Sequence, residues 1–164
     1  MMLSCERPRE VLNYDPETGA FTWKVSTARC VKIGDLAGVI NDRGYQLIRI
    51  DHHLHRAHRL AWLYMTGEWP SAEVDHINGI KSDNRFSNLR EASRSQNMRN
   101  TRTRSDSVSG FKGVTWTKEI NRWRAQIRIN GGLKHIGYFD AAEDAFAAYI
   151  LAAEELHGEF ARFE

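Results

Sequence analysis

At 164 residues, with 41% hydrophobic and 10% aromatic content, the chain can bury one moderate core or two small ones. No window is apolar for long enough to span a membrane, so a soluble globular protein is expected. The two cysteines, Cys5 and Cys30, are too few for a disulfide framework, the charged opening MMLSCERPRE lacks the apolar stretch of a signal peptide, and a reducing, cytoplasmic setting is expected. A net charge of +2 says little by itself, but residues 85–104 hold six arginines against one acid, Glu91.

The N-terminal third reads as short strands and turns. YDPETGAFTWK has turn chemistry at Asp15-Pro16 and Gly19 before an alternating run, and GYQLIRI reads as a strand with Tyr45, Leu47 and one of Ile48 or Ile50 inward. Asp51-His52-His53 makes a turn. AHRLAWLYMTG then places Leu60, Leu63 and Tyr64 at helical spacing, with Gly67 as a stop, so a short buried helix is expected. Four histidines lie between 52 and 58, but without thiols or a second spaced pair they read as structural or solvated rather than as a zinc site.

The next stretch, VDHINGIKSDNRFSNLREASRSQNMRN, holds an Asp-His pair and five asparagines among arginines. Asparagine suits turns, caps and ligands better than the interior of a helix or strand. Val74 to Ile77 reads as the end of a strand, 78–84 as a loop, Asn88-Leu89-Arg90 as a second strand, and Ser93 as the cap of a helix through Asn100. A strand, loop, strand and helix in that order can bring Asp75 and Asn97 to one point. Two hard oxygen ligands, with water and phosphate filling the remaining positions, suit magnesium or manganese rather than zinc. His76 points to the opposite face from Asp75 in an extended strand and is better cast as a general base. Each of these residues alone also fits a turn, a cap or a core histidine. Asn78, Asn84 and Asn100 are read as loop or surface residues, and His58 and Arg59 as structural.

VDHINGIKSDNRFSNLREASRSQN resembles the HNH nuclease motif, in the variant of phage and intron homing endonucleases that ends in asparagine. The resemblance extends more loosely to AHRLAW and to Gly67–Pro70. It implies a ββα-metal core over 73–101 with a strand-rich N-terminal extension, and one bound divalent ion, Mg2+ or Mn2+, held by Asp75 and Asn97. His76 is then the base that activates water, and Asn88 ties the loop to the strand and so orients His76. Arg94, Arg99, Arg102 and Arg104 follow the motif and are expected to contact phosphates.

TRTRSDSVSG, at 101–110, is polar and marks a linker. Beyond it, FKGVTW, RWRAQIRIN and LKHIGYF are three strand patterns, and DAAEDAFAAYILAAEELHG is one helix, with Asp140 as the expected N-cap, Glu143 three residues on and Gly158 at its end. In residues 122–130 even positions are polar and odd positions apolar, so Arg122, Arg124, Gln126 and Arg128 share one face. Ala142, Ala145, Phe146, Tyr149, Ala153 and Leu156 form the stripe that covers the other. The exposed face could enter a major groove, or could simply keep a small sheet soluble.

SGFKGVTW, RWRAQIR and HIGYFDAAEDAFAAYILAAEELHG resemble the plant ethylene-response-factor type of DNA-binding domain from Ser109 to Gly158. The resemblance places DNA contacts on Lys112, Thr115, Gln126, Arg128 and His135. It departs from the plant pattern at Thr115, Gln126, Leu133 and His135, so the plant sequence preference does not transfer; Arg122 and Arg124 lie on the same face as possible compensation. The expected protein is α+β: an N-terminal extension and nuclease domain at 1–104, a linker at 105–108, and at 109–164 a three-stranded antiparallel sheet packed on one helix. Its expected function is that of a divalent-metal-dependent DNA endonuclease of nicking or homing type, acting on double-stranded DNA as a monomer or weak dimer in the cytoplasm of a bacterial host. A DNA-binding regulator with an inactive nuclease motif and an RNA-directed nuclease are the alternatives.

Overall fold

A computed structural model describes residues 3–100, 108–129, 131–161 and 163, and for Met98, Arg99 and Glu159 the backbone alone. Arg102, Arg104 and most of the expected linker lie outside the described residues, as does the side chain of Arg99. The protein is mixed α and β with small antiparallel sheets, and it divides into two compact units, 1–93 and 94–164. No helix among the described residues is long and apolar enough to cross a membrane.

The first unit opens with helix α1 (Arg7–Val11), started by a proline in its first turn, and strands β1 (Leu12–Tyr14) and β2 (Phe21–Trp23), which pair antiparallel. Their turn is built as its sequence suggests. Asp15 accepts from the Glu17 amide at 3.0 Å and from the Thr18 hydroxyl at 2.7 Å, and Gly19 takes φ +74°. A side chain at Gly19 would stand 2.5 Å from the backbone at Asn84 and Arg85, and the Phe86 amide donates to Pro16 O at 3.0 Å. The turn is thus stitched to the asparagine-rich loop.

Strands β3 (Val39–Ile40), β4 (Gln46–Ile50) and β5 (His53–Arg56) form a second sheet, and helix α2 (Ala57–Thr66) follows directly. The β4–β5 turn uses Asp51 and His52 at positive φ, and Gly67, at φ +82°, closes α2. In β4 the buried pair is Ile48 and Ile50, not Tyr45 and Leu47. Period two places Gln46, Ile48 and Ile50 on one face, and that face joins Ala57, Leu60 and Ala61 of α2 in the core with Leu12, Phe21 and Trp23. Strands β6 (Glu73–His76) and β7 (Leu89–Ala92) complete the unit as an antiparallel ribbon, with a 3-10 turn at Phe86–Asn88 before β7.

The second unit holds helix α3 (Arg94–Arg99), then strands β8 (Val114–Thr117), β9 (Arg122–Ile129) and β10 (Gly132–Phe139) in the order β10-β9-β8, and helix α4 (Ala142–His157). Ala145, Tyr149 and Ala153 of α4 are buried with Val114, Ala125 and Ile127 of the sheet. Gly158, at φ +51°, ends α4 as expected, but Asp140 is not its N-cap. That position is Ala141, with no side-chain cap, and the Asp140 carboxylate turns instead to Arg122 Nε at 3.0 Å.

Candidate active site and nucleic-acid interface

In the β6–β7 ribbon Asp75 stands opposite Arg90 and His76 opposite Leu89. Asp75 is 6% exposed and accepts from Arg90 Nη2 at 3.1 Å, a cross-strand ion pair that partners both groups where they are buried. His76, 4% exposed, contacts a different set of groups, as alternation in a strand requires. Its Nε2 lies 3.4 Å from Asn84 Oδ1, and its ring meets the His58 ring edge-on at 4.9 Å.

Asn84, read as a loop or surface residue, lies in the loop but is only 1% exposed. Its Nδ2 donates to Gln46 Oε1 at 2.8 Å and to Ser82 O at 3.3 Å, which turns its carbonyl oxygen toward His76. An oxygen acceptor at Nε2 favours the tautomer with its proton on that nitrogen and leaves the lone pair on Nδ1. Asn100 is likewise buried, at 7% exposure, and Asn78 is half-buried. A side-chain oxygen three to eight residues from a motif histidine carries no pattern that separates a ring partner from a turn residue, so nothing in the sequence singles Asn84 out.

Asn88 does close the loop onto the strand. Its Oδ1 accepts from the Asn78 amide at 3.0 Å, and its Nδ2 donates to Asn78 Oδ1 at 3.1 Å and Asp83 O at 2.9 Å. None of these three bonds reaches His76, whereas Asn84 lies against its ring. Asp83, gripped by Arg85 and by Asn78, has its carboxyl held down to about 2. Three hydrogen bonds from one buried amide predict that Asn88→Ala costs about 2–4 kcal/mol of stability, measurable by urea unfolding. A loss below about 0.5 kcal/mol would contradict the clamp.

Burial lowers the pKa of His76, opposed by the Asn84 hydrogen bond and the charges of Asp75 and Asp83, and assisted by Lys81. The imidazole is therefore neutral near pH 7, the form that can accept a proton. His58, 3% exposed, with Nδ1 unpartnered among the described residues, is pushed further, down to about 3, first by burial and then by His76, Arg56 and Arg59. The native state refuses a proton that the unfolded chain accepts below about pH 6.5, so this group's contribution to stability is full above that pH and falls as pH drops toward 3. Between pH 7 and pH 5 the expected loss is about 2 kcal/mol in excess of that of His58→Leu, read from urea midpoints of the two proteins. Parallel losses would show that His58 is protonated in the fold.

Asn97 is half-buried on α3 and Arg94 is exposed. No group of three or more His, Cys, Asp or Glu positioned to hold a metal occurs among the described residues, the histidines of 52–58 included.

In the β-sheet of the second unit the register aligns Thr115 with Arg124 and Tyr138, Gln126 with His135, and Arg128 with Leu133. A bulge between His135 and Gly137 keeps His135 and Tyr138 on one face, their rings 4.6 Å apart. Thr115, Arg122, Arg128 and His135 are exposed, and Arg124, Gln126 and Lys112 half-buried. Arg122 pairs with Asp140, Arg128 Nη1 donates to Gly131 O at 3.3 Å, and Arg124 Nε is buried without a partner among the described residues.

The profile of the HNH endonuclease family matches residues 55–99, which carry Asp75, His76, Asn88 and Asn97, and that of the AP2 domain matches residues 109–159. Protein 3.8 of Escherichia phage T7 is 34% identical over 109 residues, 66% of this chain and 89% of its own length. The chain carries an HNH endonuclease domain. A second relative, an uncharacterized HNH endonuclease of Acanthamoeba polyphaga mimivirus, is 41% identical over 106 residues, 63% of this chain and 54% of the relative, so the chain spans about half of that protein. No solved structure matches. This HNH endonuclease therefore joins a nuclease domain to an AP2 DNA-binding domain, as the two sequence resemblances imply.

Proposed function

We propose that this HNH endonuclease hydrolyses phosphodiester bonds of double-stranded DNA with one divalent ion, Mg2+ or Mn2+, in the ββα-metal site that the HNH resemblance implies. The observation that carries this reading is the buried, neutral His76 ring, held through Asn84 and Gln46 with Nδ1 as its basic nitrogen. In this mechanism His76 Nδ1 takes the proton of the attacking water as the new P–O bond forms and the bond to the 3′ oxygen breaks. Asn84 holds Nε2–H throughout, and Asp75 and Asp83 favour the imidazolium that results. Asn88 keeps the loop closed so that this geometry persists.

The donor set suits a hard cation: a buried carboxylate at Asp75, an amide at Asn97, and no thiol in the motif, with the remaining positions left to water and phosphate. When bound, the ion would stabilise charge on the phosphorane and the leaving oxygen. We assign Arg94, Arg99, Lys112, Thr115, Arg122, Arg124, Gln126, Arg128 and His135 to DNA contact. Residues 1–104 form the nuclease part, 105–108 the linker and 109–164 the targeting domain. One catalytic centre per chain makes a nick the simplest product of a monomer or weak dimer. We place its action in the cytoplasm of a bacterial host cell.

The test is relaxation of supercoiled plasmid. Wild type with magnesium should accumulate nicked circles, chelator should stop the reaction, and Asp75→Ala should slow it by about 10²-fold or more. Cutting that persists in chelator would overturn the metal, and faster cutting of RNA than of duplex DNA would overturn the substrate.

A further inference from the structure

Beside His76 stands a group of side chains that the motif does not include. The Arg56 guanidinium carbon lies 4.8 Å from the Tyr45 ring centroid, and Lys81 Nζ lies 4.9 Å from the same centroid. The Tyr45 ring is in turn 6.2 Å from the His76 ring and 5.4 Å from that of His58. Arg56 and Lys81 are exposed, and neither has a carboxylate within ion-pair distance among the described residues; Lys81 Nζ donates only to the carbonyl of Arg43, a third exposed basic residue. Three other guanidiniums of this unit are ion-paired, Arg7 with Asp51 and Glu10, Arg85 with Asp83, and Arg90 with Asp75.

Two cations drawn to one ring repel each other, and a ring quadrupole holds each only weakly at an exposed site without neutralising either. The arrangement is complete only when an anion enters. Each strand of a duplex carries one charge about every 3.4 Å along its axis, so when one phosphate faces His76 its neighbour falls within reach of cations placed this near.

We propose that Tyr45, Arg56 and Lys81 form a phosphate clamp that grips the DNA backbone beside the bond to be cut, with the ring fixing both cations on the His76 side. The clamp rests on the reading of His76 as the catalytic base. Its residues are positioning groups, since they touch the strand next to the reacting atoms rather than the atoms themselves. Tyr45 is the member that sets direction: half-buried immediately before β4, its ring lies near both histidines.

The full chain is titrated with duplex DNA in chelator, so that nothing is cut, over a salt series. Arg56→Gln and Lys81→Gln should each weaken binding about 5–10-fold and lower the slope of log affinity against log salt by about one, and the double variant by about two. Arg29→Gln, which removes one exposed charge outside the cluster, should leave the slope unchanged. In magnesium, Arg56→Gln and Lys81→Gln should raise KM by a similar factor with kcat within about twofold, and Tyr45→Leu should raise KM while circular dichroism and the unfolding midpoint report an intact fold. A double variant with the wild-type slope overturns the clamp, even if wild type cuts DNA. A wild type that binds with the expected slopes but cuts nothing overturns the assignment of the base and leaves the clamp standing.

Discussion

Replacing His76 with alanine is expected to lower the rate of plasmid nicking by about 10²–10⁴-fold, while affinity for duplex DNA measured in chelator stays within about twofold of wild type. The base acts on a proton that moves only in the transition state, so its loss falls on kcat. Removing a buried ring also leaves a cavity, and some stability will go with it. The two effects separate cleanly, because His76→Gln refills most of the volume without restoring a group that can take the proton. Nicking by either variant within a few-fold of wild type would remove His76 from the base role.

The second large effect lies in the other unit. At Gly113, φ is +74°, and a methyl group there would stand 2.3 Å from the Tyr149 ring and 2.7 Å from Gln126 O. Gly113 O also accepts from the Gln126 amide at 2.9 Å, so this backbone cannot withdraw without loosening the central strand. Overpacking and a left-handed backbone together make Gly113→Ala cost about 2–5 kcal/mol, enough to unfold a sheet with a single covering helix. Hydrogen exchange is the measurement. Amides of β8, β9 and β10 should lose protection while those of β4 keep theirs, and sequence-selective binding should disappear. Unchanged protection in β9 would mean that Tyr149 moves aside at little cost.

Much of this arrangement was legible in the sequence, where a residue's role follows from local periodicity or turn chemistry. The Asp15–Gly19 turn, the Asp51-His52 turn, α2 with its Gly67 stop, and the alternation in β9 all obey rules that act over a few residues. The strand face of β4 was misread because GYQLIRI is apolar at both parities, and only α2 packing from one side decides between Leu47 and Ile48. Asp140 was misread because a cap and an ion pair compete for one carboxylate, and Arg122 is near in space but distant in sequence. The motif pointed to Asp75, His76 and Asn88, yet it was silent on Asn84 and Tyr45. Those two owe their place beside His76 to the loop and to the turn that leads into β4, which come together only in the folded unit.

The stitching of the first turn to the asparagine-rich loop bears on how such a nuclease can be moved from one protein to another. The matched segment begins at residue 55, but eight of the thirteen residues in the main core cluster precede it, from Val11 to Ile50. Tyr14 also reaches across to donate its hydroxyl to Asn84 O at 2.7 Å, one residue's backbone away from the amide that orients His76. A fusion or chimera assembled at the edges of the recognisable motif would carry every catalytic side chain and leave behind the floor they stand on. A transplantable piece would have to include the whole of the first unit.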